Sequence, residues 1–195
     1  MGFRQILASA ALLLACAAQA GTVSLVPSTT TLTAGQSLSV DIMLDDLAPG
    51  QSIAAFDIDL VFNAAVLAVN GVSFGSALGV DGIDQFTDAV LSTGRIDLAA
   101  VSLLVDTELL AAQGGAFALA TLSFLTLDAG LANLQLDTAT WPGPMFGDAF
   151  GDAVTVAVGA QPAIRVTAAT HGIPEPGSLA LAALALGLLA VPRRR

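Results

Sequence analysis

The sequence predicts an all-β sandwich between two apolar terminal segments, and two patterns in it support that prediction. Apolar and polar residues alternate with period two in several short runs, which is typical of strands with one buried face. Turn-forming Gly, Asn, Asp and Pro separate these runs. Strands this short, at this spacing, favour an antiparallel sandwich. The predicted turns are Ala34-Gly35, Pro49-Gly50, Asn70-Gly71, Asp81-Gly82, Gly114-Gly115 and Pro142-Gly143-Pro144.

Four runs show the alternation, and each places its apolar residues on one face. These apolar residues are Leu38, Val40, Ile42 and Leu44; Phe56, Ile58, Leu60 and Phe62; Ile96, Leu98 and Ala100; and Val154, Val156 and Val158. Asp57 and Asp59 are expected to face outward. Residues 116–127 would be apolar on both faces of a strand. This predicts that they form a central strand or a strand lying beneath a loop. Residues 63–67 predict a single helical turn, and residues 161–174 a tether toward the C-terminal segment.

The first twenty residues predict a secretory signal peptide. Arg4 precedes an apolar stretch, and Ala18-Gln19-Ala20 supplies the small residues of a signal peptidase site. Leu13-Leu14-Ala15-Cys16 also fits a lipoprotein cleavage box, so cleavage after Ala20 and cleavage before Cys16 are alternatives. Cleavage after Ala20 leaves a mature domain without cysteine, and therefore without a disulfide or thiol chemistry.

The C-terminal segment has three parts in a fixed order. Pro174-Glu175-Pro176 keeps the backbone extended, residues 179–191 carry no charge, and Arg193, Arg194 and Arg195 close the chain. An apolar helix followed by arginines leaves the domain outside the inner membrane and the arginines as its cytoplasmic anchor. A helix from Ser178 to Val191 covers only about 21 Å of a hydrocarbon core of roughly 30 Å, which is short for a permanent span.

These three parts resemble the PEP-CTERM sorting signal of Gram-negative bacteria. The resemblance covers residues 173–195 and implies that the chain is a substrate of exosortase, the membrane protease-transpeptidase that reads this signal. It also implies a single-pass stay in the inner membrane, followed by transfer to the cell surface or to an extracellular, biofilm-type matrix. It carries no implication for what the folded domain does.

The charge of the domain excludes several classes of partner. Residues 21–172 hold fifteen Asp and Glu but only two basic residues that are charged at pH 7, Arg95 and Arg165, which gives a net charge of −13. Such a surface repels nucleic acid and anionic lipid. About 150 residues remain between the apolar ends, which is enough for one domain with its own core.

The residue inventory predicts a protein without a catalytic site. The mature domain contains no Cys, Lys or Tyr, and the only histidine, His171, falls in the expected linker. Triads, Schiff bases and histidine-rich zinc sites are therefore unavailable. A pair of catalytic carboxylates would have to rely on a single glutamate, Glu108. We predict that the protein is not an enzyme.

Two acidic loops and one aromatic residue are candidates for binding. Asp81, Asp84 and Asp88 surround one turn, and Asp148 and Asp152 belong to a short tandem repeat of Phe-Gly-Asp. Calcium takes six to eight oxygen ligands, so either loop is a candidate calcium site, although neither has EF-hand spacing. Trp141 is the only Trp. It is either a core anchor or a platform for stacking on a sugar.

Several stretches of the domain share a pattern of strand and turn residues. They are Val23–Pro27, Ala34-Gly35-Gln36, residues 54–63 with Val66-Leu67, and later residues 94–99 and 117–124. Together these stretches resemble a cohesin domain. The resemblance implies a jelly-roll sandwich of about nine strands that binds a dockerin module through one sheet face. Cohesins of cellulosomes sit in multi-domain scaffoldins, whereas this chain has one such domain.

We therefore predict a signal peptide at residues 1–20, a cohesin-like sandwich at 21–166, a linker at 167–173 and a sorting segment at 174–195. The expected function is binding of a dockerin-like protein, or a structural role in the extracellular matrix, without a cofactor other than calcium. The alternative is a polysaccharide-binding module of the matrix. It is harder to build without Tyr, because sugar sites use exposed aromatic rings.

Overall fold

The computed structural model describes residues 21–140 and 142–169, which form twelve strands and one short helix. The sequence-based predictions that concern the signal peptide, Trp141, His171 and the sorting segment lie outside these residues. The strands are β1 Gly21–Pro27, β2 Thr31–Thr33, β3 Ser37–Asp45, β4 Ala55–Phe62, β5 Leu67–Phe74, β6 Gln85–Ser92, β7 Arg95–Ser102, β8 Phe117–Thr126, β9 Gly130–Leu136, β10 Met145–Gly147, β11 Val156–Val158 and β12 Ala163–Thr167; the helix α1 is Asp106–Ala112.

The strands form two sheets that share one core. The five-stranded sheet has the order β11-β1-β3-β8-β5, and the seven-stranded sheet has the order β2-β12-β9-β4-β7-β6, with β10 also paired to β4. The buried sides of both sheets contribute to a single apolar cluster. The rings of Phe62 on β4 and Phe124 on β8 meet edge to face across the two sheets, with centroids 5.3 Å apart.

The predicted all-β sandwich is confirmed, including the faces of its clearest strands. Phe56, Ile58, Leu60 and Phe62 are buried, whereas Asp57 is exposed and Asp59 half-buried. The predicted inward residues of β3 and β7 are buried in the same alternating way; they are Leu38, Val40, Ile42 and Leu44, and Ile96, Leu98 and Ala100. Twelve strands are more than the expected nine or so, because β2, β10 and β11, with three residues each, form separate short strands.

Three local predictions need correction or refinement. Strand β8 does lie between β3 and β5, but Ser123 on its outward face is exposed, so it is not covered on both sides. Residues 63–67 form only a hydrogen-bonded turn, in which the Asn63 carbonyl accepts from the N–H groups of Val66 and Leu67. The expected tether contains β12, which pairs with β9 and β2 and therefore belongs to the sheet.

Helix α1 was not predicted from the sequence. Its first turn carries Asp106 and Glu108, and acids are favourable there because they face the positive end of the helix dipole. The Glu108 carboxylate also accepts the N–H of Val105 at 3.1 Å. At the other end, Gln113 enters the interior and is only 7% exposed. The helix is thereby fastened to the sandwich.

Two buried glutamines hold the loop between β5 and β6. Gln113 Nε2 donates to the carbonyls of Ile53 and Ala77 at 2.7 and 3.2 Å, and its Oε1 accepts the N–H of Ile53 at 2.8 Å. The Gln85 amide, in the orientation that satisfies both groups, donates to the carbonyls of Gly79 and Gly75. Buried backbone groups in an irregular loop need such partners.

Strands β9 and β10 share one edge of β4. Leu134 and Leu136 of β9 pair with one end of β4, and Met145–Gly147 pairs with the other end in the same antiparallel sense. Residues 137–140 and 142–144 between them lie outside the strands. We call these residues the excursion, and residues 145–154, which turn back beside β4, the β10 hairpin.

Candidate functional site

An exposed apolar patch covers one end of the outer face of the seven-stranded sheet. Val101 on β7 lies opposite Phe86 on β6, and the same Val101 lines two grooves with the other members of the patch. Each member exposes 46% or more of its surface, and Phe150, at the tip of the β10 hairpin, exposes 77%. The apolar patch consists of Phe86, Val101, Leu103, Val105, Met145 and Phe150. A cluster of exposed apolar side chains of this kind marks an interaction surface.

A row of carboxylates crosses the same face beside the patch. Asp88 and Asp57 lie on either side of Ala99, and Asp97 lies directly opposite Asp59. Like charges in opposed positions of neighbouring strands destabilise a sheet. Within the described part of the chain, Asp57 and Asp88 have no hydrogen bond or ion pair that would offset this repulsion. We call Asp57, Asp59, Asp88 and Asp97 the acidic row.

Arg95 neutralises only one end of this row. Its Nη2 lies 2.6 Å from Asp59 Oδ2, and its Nη1 donates to Asp137 Oδ2 at 2.8 Å. Asp137 also accepts from the hydroxyl and N–H of Thr140 and from the N–H of Ala139, which together with Arg95 lower its pKa to about 2. Arg95 therefore links the outer face of the sheet to the excursion, and both of its ion-pair partners lie within the domain.

We expect Asp97→Asn to raise the thermal stability of the protein at pH 7. The pKa of Asp97 is raised, first by its partial desolvation and then by the charges of Asp59, Asp57 and Asp88. A raised pKa in the folded state means that the ionised group costs stability as the pH rises through that pKa. Removing the charge removes the cost. A melting curve tests this, with Asp128→Asn in an exposed turn as the charge-matched control; equal shifts in both variants would contradict the prediction.

The β10 hairpin presents the tandem repeat in two different environments. Phe146 points inward and is 6% exposed, whereas Phe150 of the second copy lies at the exposed tip. The Asp148 carboxylate accepts the N–H groups of Phe150 and Asp152, both at 2.9 Å, and so closes the turn. Gly151 takes a φ of 85°, a left-handed conformation that favours glycine. The turn thus fixes Phe150 beside the sheet face.

Comparison with solved structures identifies the architecture. A type II cohesin of Acetivibrio cellulolyticus, solved in a cohesin-X-dockerin complex, matches 75% of this chain and 99% of its own, with 11% identity and a TM-score of 0.63. A type II cohesin domain from the cellulosome of the same organism matches with 18% identity and a TM-score of 0.60, covering 74% of this chain and 95% of its own. The domain has a cohesin-like fold.

The likeness extends beyond cellulosomes. A non-cellulosomal cohesin from the archaeon Archaeoglobus fulgidus matches 76% of this chain and 91% of its own, with 15% identity and a TM-score of 0.54. No family model matches the chain, and no curated protein matches it. At these identities the likeness establishes the fold of the cohesin-like domain alone.

The cohesin-like domain does not gather the candidate calcium ligands into a metal centre. Among residues 21–140 and 142–169, no group of three or more His, Cys, Asp and Glu side chains is placed to hold a metal ion. Asp81 accepts the hydroxyl of Thr87 at 2.7 Å, and Asp84 accepts the N–H of Val80. Asp88 belongs to the acidic row instead, and Asp148 closes its own turn. Asp81, Asp84 and Asp148 thus stabilise their own loops, and calcium binding stays a prediction without a preformed site among the described residues.

The remaining predicted sites lie outside the described residues. They are Ala18 and Ala20 of the signal cleavage site, Pro174, Glu175 and Pro176 of the sorting motif, Arg193, Arg194 and Arg195, and Trp141, which was predicted to be either a core anchor or a platform for a sugar. No helix within residues 21–140 and 142–169 has the length and apolar character of a membrane span.

The sequence did not identify the apolar patch of the cohesin-like domain, although one signal was present. Phe86 and Val90 occupy the outward phase of β6, together with Asp88, and Val101 occupies the outward phase of β7. A large apolar residue in the solvent-facing phase of a strand breaks the expected alternation. The remaining members lie in loops and on a short strand, where no period distinguishes them.

Proposed function

We propose that this chain is an exported, non-enzymatic interaction protein whose cohesin-like domain binds a dockerin-like protein. The observation that supports this most directly is the apolar patch on the outer face, which includes residues of β6, β7 and β10. Large exposed aromatic and aliphatic side chains at the centre of a face are the usual anchors of a protein interface. Two of the similar structures are complexes of a cohesin with a dockerin, which supports the same kind of partner here.

The shape of the site favours a protein partner. The patch is spread over three strands, a loop and a hairpin tip, and the grooves within it are open to solvent. The exposed aromatic rings of the described residues on this face are Phe86 and Phe150, both without a polar group. Sugar sites combine aromatic rings with convergent polar groups, whereas protein interfaces have an apolar centre and a polar rim. The acidic row forms such a rim.

Capture from the extracellular fraction of the cells that make the protein tests this proposal. The wild-type chain is compared with Val101→Glu, which places a charge at the centre of the patch. The control is Ser39→Glu, which adds the same charge to an exposed position of β3 on the opposite sheet. We expect a protein that is retained by the wild type and by Ser39→Glu but lost with Val101→Glu. Equal retention by all three baits, or no retained protein, would contradict the proposal.

We also propose that the C-terminal segment directs sorting by an exosortase, which cleaves near Pro174-Glu175-Pro176 and releases the domain to the cell surface or matrix. The support is the order of the extended motif, the short apolar run and the three arginines. Drawing each arginine through hydrocarbon costs on the order of 2.5–3.5 kcal/mol, so the end of the chain stays in the cytoplasm. A poorly matched span suits a transient helix.

Replacing Pro174, Glu175 and Pro176 together by alanine is expected to leave uncut precursor in the inner membrane. The extended backbone that the protease reads is then lost, while the apolar run and the arginines are kept. Immunoblots of membrane and released fractions would show a heavier band in the membrane. Release of the triple variant at the wild-type rate would reduce the segment to a simple anchor.

A further inference from the structure

A groove runs across the outer face at the edge of the apolar patch, between the β10 hairpin and strand β7, and two patch residues, Val101 and Met145, line it. It has a volume of about 530 Å³ and is open to solvent along its length. Met145 and Pro144 form one side, and Val101 contributes to the other. The small side chains of Ala55 and Ala99 on β4 and β7 create the depression, because larger residues at these outward positions would fill it.

The groove combines apolar walls with carboxylates. Asp57 and Asp152 both line it, and no basic residue within 21–140 and 142–169 does. Among the described residues, neither carboxylate has a hydrogen bond or ion pair, although the Asp152 N–H donates to Asp148. Arg95, which lies next to the acidic row, is engaged by Asp59 and Asp137. The two carboxylates of this groove can therefore pair with a cationic group from outside the domain.

A long cationic side chain matches both features. Its methylene stem can lie along apolar walls while its charged head reaches a carboxylate. A guanidinium suits a groove with apolar walls and two carboxylates better than an ammonium, since it is more weakly hydrated and donates in a planar fork. The domain as a whole, at −13, adds a field that attracts a cation to the face.

We propose that this groove receives an arginine side chain of the partner protein, with Asp57 and Asp152 as its charge partners. The inference rests on the proposed function, because it assigns one chemical feature to the partner that docks on this face. It predicts a basic partner surface in which apolar residues for the apolar patch flank an arginine for the groove.

Two small probes that differ only in charge test the assignment. N-acetyl-arginine methylamide is titrated into the isotope-labelled full-length chain, and amide shifts are followed by nuclear magnetic resonance. N-acetyl-citrulline methylamide has nearly the same shape without the charge. We expect the arginine probe to shift signals of Asp57, Ala99 and Met145, and the citrulline probe to leave them in place.

Variants that each remove one negative charge distinguish binding in the groove from attraction by the overall negative charge of the domain. Asp57→Asn and Asp152→Asn should each weaken binding of the arginine probe by about threefold or more, the order expected for an exposed ion pair. Asp128→Asn removes the same charge from an exposed turn outside the groove and should leave the affinity unchanged. Signals of the core show that each variant is folded.

Three results would overturn the proposal: no shift in the groove, equal shifts with citrulline, or equal weakening by Asp128→Asn. The outcome is distinguishable from failure of the proposed function. A partner captured through the face, together with an unresponsive groove, would remove the arginine site and leave the interaction function. If instead the groove selects arginine but the chain captures no protein, the arginine site stands and the proposed interaction function fails.

Discussion

Replacing Phe56 by alanine is expected to lower the free energy of unfolding by about 3–5 kcal/mol, the range for a large aromatic residue removed from a packed core. Phe56 is 3% exposed and lies on the inner side of β4. Its ring centroid lies 6.3 Å from that of Phe74 on β5, so the side chain links the two sheets. Urea denaturation gives the change, read as a shift of the midpoint at constant slope.

Phe150→Ala is the matched control for this substitution. It removes the same ring from the exposed tip of the β10 hairpin, so the unfolding free energy should stay within about 0.5 kcal/mol of the wild type. The two variants therefore separate the core from the apolar patch. Similar losses in both would mean that Phe150 is packed or that Phe56 is not, and the described fold would be wrong at β4.

A second large effect is expected for Gln113→Leu. Leucine has a similar volume but leaves the N–H and carbonyl of Ile53 without their side-chain partner, and it removes a bond to the Ala77 carbonyl. An unsatisfied buried backbone group costs roughly 1–3 kcal/mol, so a total loss of about 3 kcal/mol or more is expected. The loop between β5 and β6 should loosen first, which amide exchange would detect.

The control is Gln135→Leu, on an exposed position of β9. It makes the same chemical change where water can satisfy the backbone, and we expect little effect on stability. If Gln113→Leu proves as mild as Gln135→Leu, the amide of Gln113 does not hold the backbone of Ile53 and Ala77 in the way that the three hydrogen bonds indicate.

The regular strands could be predicted from the sequence because the alternation of their apolar and polar side chains shows which face of the sheet is buried. In β4, every second residue is apolar and the intervening Asp57 and Asp59 are charged, so one face is fixed as the inner one. The fold class follows from several such strands joined by short turns. The resemblance to cohesins, based on the same strands, predicted the architecture that the solved structures share.

The missed features depend on contacts between residues far apart in the chain. Gln113 bonds to a residue 60 positions earlier, and no local pattern reveals such a partner. The β10 hairpin belongs to the sheet because Met145–Gly147 pairs with the edge of β4 that β9 leaves free. Helix α1 was missed because seven residues are too few to show a helical period. Asp106 and Glu108, which precede Leu109, were nevertheless a signal for the start of a helix.

The candidate site was hidden from the sequence for a related reason. Phe146 and Phe150 occur in identical Phe-Gly-Asp triplets, yet one is buried and the other exposed. Only the pairing of β10 with β4 decides which is which. The acidic row is likewise assembled from three strands, and its carboxylates read locally as ordinary polar positions of a sheet.

Hydroxyl-radical footprinting of the complex with the captured protein tests the docking face most directly, because it reports the exposure of individual side chains. Met145 and Phe150 lie on the proposed face, and Met43 lies on β3 of the other sheet. Our account predicts that oxidation of Met145 and Phe150 falls when the partner binds, while that of Met43 is unchanged. Protection of Met43 with Met145 and Phe150 still oxidised would place the partner on the opposite sheet and contradict the account.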